Sequence, residues 1–364
     1  MRIVFAVTND LTYDRRMHRI CATLQKAGNE VTLVGRKLAD SKPLANSAYR
    51  QVQLRCFMTK GPLFYAEYNF RLFFLLLRMN ADVFGACDLD TAPAVVLAGK
   101  LRKRRLVFDA HEHFAEVPEV ERRPFVKKVW QTIGKWCVPR FDIRYTVGDS
   151  LAQVLAQTYG APFSVIRNLP LQSSEPVIPP VQRSQLIVYI GALNEGRGLE
   201  YAIGALQYLP GWKLKLVGEG DLSRALRELV KETGVTERVQ FAGRISPGNL
   251  PMEIASGMLG LNVLEARSKS YYYSLSNKFF DYMQAGIPSI SMEFPEYTSI
   301  LSTHKVGIAI PTLSARSLAD AIQTLMAQPD NVREMIEQCV QARTVFSWEH
   351  EEQRLTDLFR TLDH

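Results

Sequence analysis

Short apolar runs that do not strictly alternate with polar residues recur along this chain, separated by amphipathic segments. A strand with one wet face alternates apolar and polar residues, whereas a strand covered on both faces does not. In the first half, residues 2–7, 30–34 and 106–109 read as buried strands. Residues 14–27 have helical spacing, with Ile20, Leu24 and Ala27 at i, i+4 and i+7 and Gly28 as the stop. In the second half, strands are expected at 185–190, 213–217, 239–241, 260–264 and 288–292. Helices are expected at 198–209, 221–233, 277–285 and 347–362. The last carries Glu349, Glu351 and Glu352 in its first turns, where the helix dipole favours anions. Repeated strand–helix units predict an α/β protein built on parallel sheets.

Four prolines among serines in residues 169–184 interrupt this pattern and read as a linker. The expected organisation is an N-terminal Rossmann-like domain over 1–168, the linker at 169–184, a C-terminal Rossmann-like domain over 185–346, and a helix over 347–364 that packs back on the first domain. A length of 364 residues suits two such domains, and a cleft between them is the expected ligand site. Residues 1–182 hold 26 Lys and Arg against 16 Asp and Glu, whereas 183–364 hold 18 against 21. The basic half suits an anionic partner. No run approaches ~20 apolar residues, and the first residues turn polar too soon for a signal peptide. Five cysteines without a C-x-x-C pair argue against a disulfide framework or structural zinc, and the expected location is cytoplasmic.

Four segments carry candidate chemistry. IVYIGALNEGRGLE (187–200) is a strand, a turn with Gly191, Gly196 and Gly198 around Arg197, and a helix start. Glycines allow close backbone approach and a helix N-terminus favours phosphate, so Arg197 is a candidate for holding a diphosphate. In SLSNKFFDYMQAG (274–286), Ser274, Ser276 and Asn277 are N-cap types and Lys278 stands in the first turn, where a cation opposes the dipole unless an anion binds. Asp281, one turn on, is placed for ribose hydroxyls, or for a simple ion pair with Lys278. VFDAHE (107–112) puts His111 and Glu112 after a buried strand, where an imidazole can meet a sugar hydroxyl or developing charge. His113 raises a metal alternative, but no third ligand has the spacing, so no metal is expected. TNDLTYDRR (8–16) is expected to be a polar loop whose Asn9, Asp10, Asp14, Arg15 and Arg16 face an acceptor, or alternatively a capped helix start.

In order along the chain, TNDLTYDRRMHRI, CDLDTAP, VFDAHE, YIGALNEGRGLE, KLVGEGD, VQFAGRI, NKFFDYMQAGIPSI and VGIAI resemble the retaining glycosyltransferases of family four, group 1, which have the GT-B fold of two Rossmann-like domains and include sucrose synthase and bacterial mannosyltransferases. The resemblance implies retaining transfer from a UDP- or GDP-sugar to a glycan or lipid-linked acceptor, with no cofactor and no metal. It implies donor contacts from Gly191, Arg197, Gly218, Glu219, Ser276, Asn277, Lys278 and Asp281, with the backbone at Arg244 and Ile245 holding the base. It places His111, Glu112, Arg197 and Lys278 in the catalytic set, with His111 on the sugar. The chain departs from the family pattern at Ala192, where a second cation belongs, at Tyr273, where a glutamate belongs, and at Asn9-Asp10, which replace a glycine-rich loop. Lys278 is the expected substitute for the missing cation. The alternatives are a non-hydrolysing sugar-nucleotide epimerase and a non-catalytic sugar-nucleotide-binding subunit. Nucleic acid is not an expected partner, because the basic residues form no recognisable binding module.

Two segments suggest peripheral contact with an anionic membrane. Residues 62–79 are aromatic and aliphatic with Arg71, Arg78 and one acid, Glu67. Residues 122–140 carry Arg122, Arg123, Lys127, Lys128, Lys135 and Arg140 with Trp130 and Trp136. Tryptophan beside cations suits an interface. On the alternative reading both tryptophans are core, and so is the set Phe70, Phe73, Phe74 and Leu77.

Overall fold

The computed structural model describes residues 1–39, 41, 43–174, 184–246 and 248–362. Residues 175–183 of the expected linker lie outside the described residues. The chain forms two compact units. One comprises Met1–Asn168, Ser268–Ser270 and the stretch from Glu351 onward; the other comprises Leu169–Arg267 and Tyr271–His350.

The first unit holds seven strands: β1 (Arg2–Asp10), β2 (Glu30–Lys37), β3 (Arg50–Arg55), β4 (Val83–Cys87), β5 (Arg105–Ala110), β6 (Ile143–Thr146) and β7 (Ser164–Val165). All pair in parallel, in the order β3-β2-β1-β4-β5-β6-β7. The order reverses between β1 and β4, and ligands of open α/β sheets bind beyond the carboxyl ends of the strands at such a point. β4 is buried throughout. It and β3, β6 and β7 are additional to the strands expected from sequence. β1 runs three residues further than expected, so Thr8, Asn9 and Asp10 end a strand with a register shift rather than form a loop.

Right-handed crossovers place helices Gly61–Arg78, Ala92–Arg102 and Pro124–Cys137 together on one face of this sheet, and helix Arg15–Lys26 on the other. In helix Gly61–Arg78 the core face is Phe64, Tyr68, Leu72 and Leu76, each four residues from the last. Phe70 and Phe74 point outward instead. Tyr68 sets the rotation by donating its hydroxyl to the Val7 carbonyl inside the sheet. Trp130 is core, against Tyr65 and Phe114, whereas Trp136 is exposed.

The second unit repeats the plan with β8 (Leu186–Ile190), β9 (Lys213–Val217), β10 (Val239–Gly243), β11 (Leu259–Asn262), β12 (Ser289–Met292) and β13 (Gly307–Ile310). They form a parallel sheet ordered β10-β9-β8-β11-β12-β13, reversing between β8 and β11. Its core joins Tyr189, Leu261 and Ile290 of the sheet to Phe279, Phe280, Ile322 and Ile336 of the helices.

Helix Trp348–Arg360 closes the chain. Its acids tie it down rather than only matching its dipole. Glu351 is fully buried and accepts the Arg167 amide at 3.1 Å, and Glu349 accepts the Gln172 amide at 3.0 Å. Phe359 packs on Phe5 and Tyr145 of the first sheet.

Candidate active site

In the second unit, loops gather beyond the carboxyl ends of β8, β9 and β10. The Gly191 amide donates to Val217 at 3.0 Å and the Gly218 amide to Gly243 at 2.8 Å. Gly218 has φ +142°, and a Cβ there would lie 1.9 Å from the Gly191 carbonyl oxygen. Only a residue without a side chain lets these two loops touch. Gly196 and Gly198 also have positive φ, and Gly198 leads into helix Leu199–Ala205. Arg197 between them is half-buried, stacks on Tyr271 at 5.0 Å, and has a buried Nε without a hydrogen-bond partner among the described residues.

Lys278 opens helix Asn277–Gln284 and is only 7% exposed. Its Nζ lies 4.5 Å from the centre of the Tyr189 ring and has no hydrogen-bond partner among the described residues. Burial, and then the nearby Arg197 charge, holds the Lys278 ammonium well below its usual range. A buried amine beside an arginine resists taking up its charge unless something anionic binds there. Ser276 occupies the N-cap position, but its hydroxyl donates to Asn262 instead of capping, and the Ser274 hydroxyl donates to the Tyr271 carbonyl. Glu219 is engaged by Arg227 at 3.6 Å, Arg244 and Asn277 are exposed, and Ile245 is half-buried against the Val188–Ile254 cluster. Tyr273 packs edge-on to Tyr272.

In the first unit a charge network sits at the ends of β1, β4 and β5. Arg16 is 3% exposed and grips Asp109 with two hydrogen bonds of 2.8 and 3.1 Å, while its third nitrogen donates to the Ile166 carbonyl at 3.0 Å. Arg16 is thus a buried structural cation, not an acceptor-facing one. His111 lies between Asp109, 3.2 Å from Nε2, and Asp88, 3.5 Å from Nδ1, and its amide donates to Asp88 at 2.9 Å. Burial alone would lower the His111 pKa, but the Asp109 and Asp88 carboxylates outweigh it and raise it to about 9. Burial raises Asp109 too, but Arg16 and His111 hold it down at about 2. Burial pushes Asp88 and Asp90 up to about 7, opposed at Asp88 by the His111 charge and at Asp90 by the Thr8 hydroxyl. Asp88 also has φ +59°, an unusual conformation for a residue with a side chain.

Cys87, Asp109 and His111 bring ligand-type atoms within 4.8 Å of one another. The set does not suit a cation, because both Asp109 oxygens already serve Arg16 and burial pushes the Cys87 thiol well up. His113 lines a cavity with Glu116, Gln131 and Tyr159, and His111 is not among its lining residues. Glu112 is exposed and accepts from Ser270 at 3.3 Å.

Asp10 and Asp14 act as caps. Asp10 accepts from the Thr12 amide at 2.9 Å and from Ser41, and Asp14 accepts from Met17 at 3.1 Å and from Asn9 at 3.1 Å. Arg15 is exposed. Sequence reasoning assigned no role to Asp88, Asp90 or Tyr271. The signal for the first two was available in CDLD directly after a buried run, whereas a stacking partner for Arg197 has no local signature.

Two family models tile the chain. Glycosyltransferase Family 4 matches residues 14–169, and Glycosyl transferases group 1 matches residues 174–342. The chain belongs to the group 1 glycosyl transferases. A relative, the Alpha-D-kanosaminyltransferase of Streptomyces kanamyceticus, is 24% identical over 156 residues, which are 42% of this chain and 39% of that protein. The match therefore spans well under half of that relative. Sucrose-phosphate synthase from Thermosynechococcus elongatus has the same fold, with TM-score 0.81 and 17% identity over 100% of this chain and 99% of that one. The Anabaena HepE protein, solved with UDP-glucose, aligns with TM-score 0.75 and 15% identity over 99% and 100%. The group 1 chain described here thus has the two-unit GT-B fold.

Proposed function

We propose that this group 1 chain transfers a glycosyl unit from a nucleoside-diphosphate sugar to a hydroxyl of a glycan or lipid-linked acceptor, with retention and without a metal ion. The observation that carries this reading is the buried, unpartnered Lys278 ammonium beside Arg197 at the switch point of the second sheet. A diphosphate supplies the missing counter-charge. Lys278, Arg197 and the Asn277 amide hold it, with the Gly191 and Gly218 backbones close by, whereas the Ser276 amide already donates to the Tyr297 hydroxyl at 3.0 Å. Asp281 takes the ribose, and the backbone at Arg244 and Ile245 takes the base. As the glycosidic bond breaks, negative charge grows on the leaving diphosphate, and the two preorganised cations stabilise it without a divalent ion. His111, held cationic by Asp109 and Asp88, contacts the transferred sugar. The leaving phosphate accepts the acceptor's proton. Asn9 and Arg15 are the remaining acceptor-side candidates.

The test is a binding titration of UDP, GDP and the corresponding monophosphates, followed by turnover with nucleotide sugars. Diphosphates should bind more tightly than monophosphates. Arg197→Ala should lose ~1.5–3 kcal/mol, roughly one to two decades in affinity. EDTA should leave turnover unchanged, and loss on chelation with rescue by a divalent ion overturns the metal-free mechanism. A second reading, a sugar-nucleotide epimerase, is favoured by one observation. Asp90, buried, and Asp88, half-buried, are carboxyls with pKa values of about 7, as acid–base work on a sugar requires. Incubation with donor alone separates the two, because an epimerase changes the sugar without an acceptor.

A further inference from the structure

We infer that the outer face of helices Gly61–Arg78, Ala92–Arg102 and Pro124–Cys137 docks on an anionic lipid bilayer. The crossovers that put these helices on one face of the first sheet also put their outward side chains on one surface. Each helix exposes large apolar residues there: Phe70 and Phe74, Leu97 and Leu101, Phe125 and Trp136. Phe125 is 80% exposed, and Phe70 and Leu101 are 66% exposed. Phe70 and Phe74 pack edge-to-face at 4.9 Å, on each other rather than into the core. Single exposed apolar residues are ordinary, but three adjacent helices each bearing such residues form a surface that calls for a partner.

Charge selects the partner. The three helices carry seven Lys and Arg against one acid, Glu67. Arg71 pairs with that acid at 2.7 Å. Arg78, Lys100, Lys128 and Lys135 are exposed. A second copy would set this face against itself, cations opposing cations. A bilayer with anionic headgroups takes both the apolar side chains and the cations. None of the described helices is long and apolar enough to span a membrane, so the contact is peripheral.

The experiment is flotation of the full chain with phosphatidylcholine vesicles, with and without phosphatidylglycerol. The chain should float only with the anionic vesicles, and high salt should release it. Trp136 emission should shift to the blue on those vesicles, and Trp136→Phe should remove the shift. Lys128→Glu with Lys135→Glu, and separately Phe125→Ser, should lower the floated fraction about tenfold or more. An unchanged melting temperature and an unchanged response to UDP or GDP show that these variants remain folded, and they read the donor site independently. Recovery in the soluble fraction with both lipid mixtures overturns the inference. So does a dimer in solution that Phe125→Ser disperses, which assigns the face to a second copy.

Discussion

Lys278 has lost its hydration and has no hydrogen-bond partner among the described residues, so its contribution to the stability of the unliganded protein is unfavourable. Lys278→Met keeps the length of the side chain and removes the charge. It should stabilise the unliganded chain by roughly 1–3 kcal/mol in urea unfolding, while the stabilisation produced by added nucleoside diphosphate disappears. A variant less stable than the parent, or one that still responds to diphosphate, would sink the assignment. His111 makes the opposite kind of contribution. Its pKa is raised from 6.5 to about 9, so the stability it contributes is complete below about pH 6.5 and is lost as pH rises through 9. The unfolding midpoint of the parent should therefore fall between pH 7 and 10 by more than that of His111→Gln. Equal slopes would mean that His111 is not held between two carboxylates. Residues of this kind were partly legible from sequence. Arg197, Lys278 and His111 stand in segments whose glycines, caps and strand ends mark them, whereas Arg16 reads from sequence as one more acceptor-facing charge. Its burial depends on Asp109, 93 residues away, and a local pattern carries no trace of such a pair.

At the scale of elements, loop geometry sets how closely the turns around the proposed donor site can approach. The turn after β9 passes so near the turn after β8 that Gly218 has no room for a Cβ. Gly218→Ala should push the two loops apart, cost at least about 2 kcal/mol from strain and displacement, and abolish diphosphate binding. Gly234→Ala is the matching control. Its φ is +69°, but nothing lies within 4 Å of the added methyl, so it should cost about 1 kcal/mol and leave binding intact. Similar losses of binding in both variants would remove the close approach as the cause. Five of the six strands of the second unit were legible as short runs rich in apolar residues between helical segments, and Lys213–Val217 has the expected bounds. β3 was not, because Arg50–Arg55 is an edge strand of mostly polar residues. The rotation of helix Gly61–Arg78 was not legible either. Apolar residues surround much of that helix, and the hydrogen bond from Tyr68 to the sheet, not the sequence pattern, selects the inward face.

At the scale of the whole molecule, two copies of one sheet order in series were legible as a repeated grammar, and eight weak motifs in order carried the family where none did alone. Sequence reading expects the last helix to pack back on the first domain, but not which residues hold it there. The last helix belongs to the first unit from Glu351 onward, after some 180 residues spent mostly in the second. Leu355 and Phe359 are buried, Phe359 against Phe5 and Tyr145, and Glu351 meets the Arg167 amide. Deleting residues 351–364 removes this cover. Each large apolar side chain contributes about 1.5–3 kcal/mol by burial, and the exposed sheet face and the unmatched Arg167 amide add to the loss. Against a total of about 5–15 kcal/mol for a domain, the deletion should leave the first unit unfolded or nearly so. The second unit keeps its own core, so its stabilisation by nucleoside diphosphate should persist in the truncated chain. Limited proteolysis should then cut within residues 1–168 first, and diphosphate should protect the fragment that follows. Phe359→Ala is the milder form, expected to cost about 3–5 kcal/mol in the first unit alone. A truncated chain that melts like the parent, or that loses both units together, would show that the terminal helix does not hold the first sheet in this way.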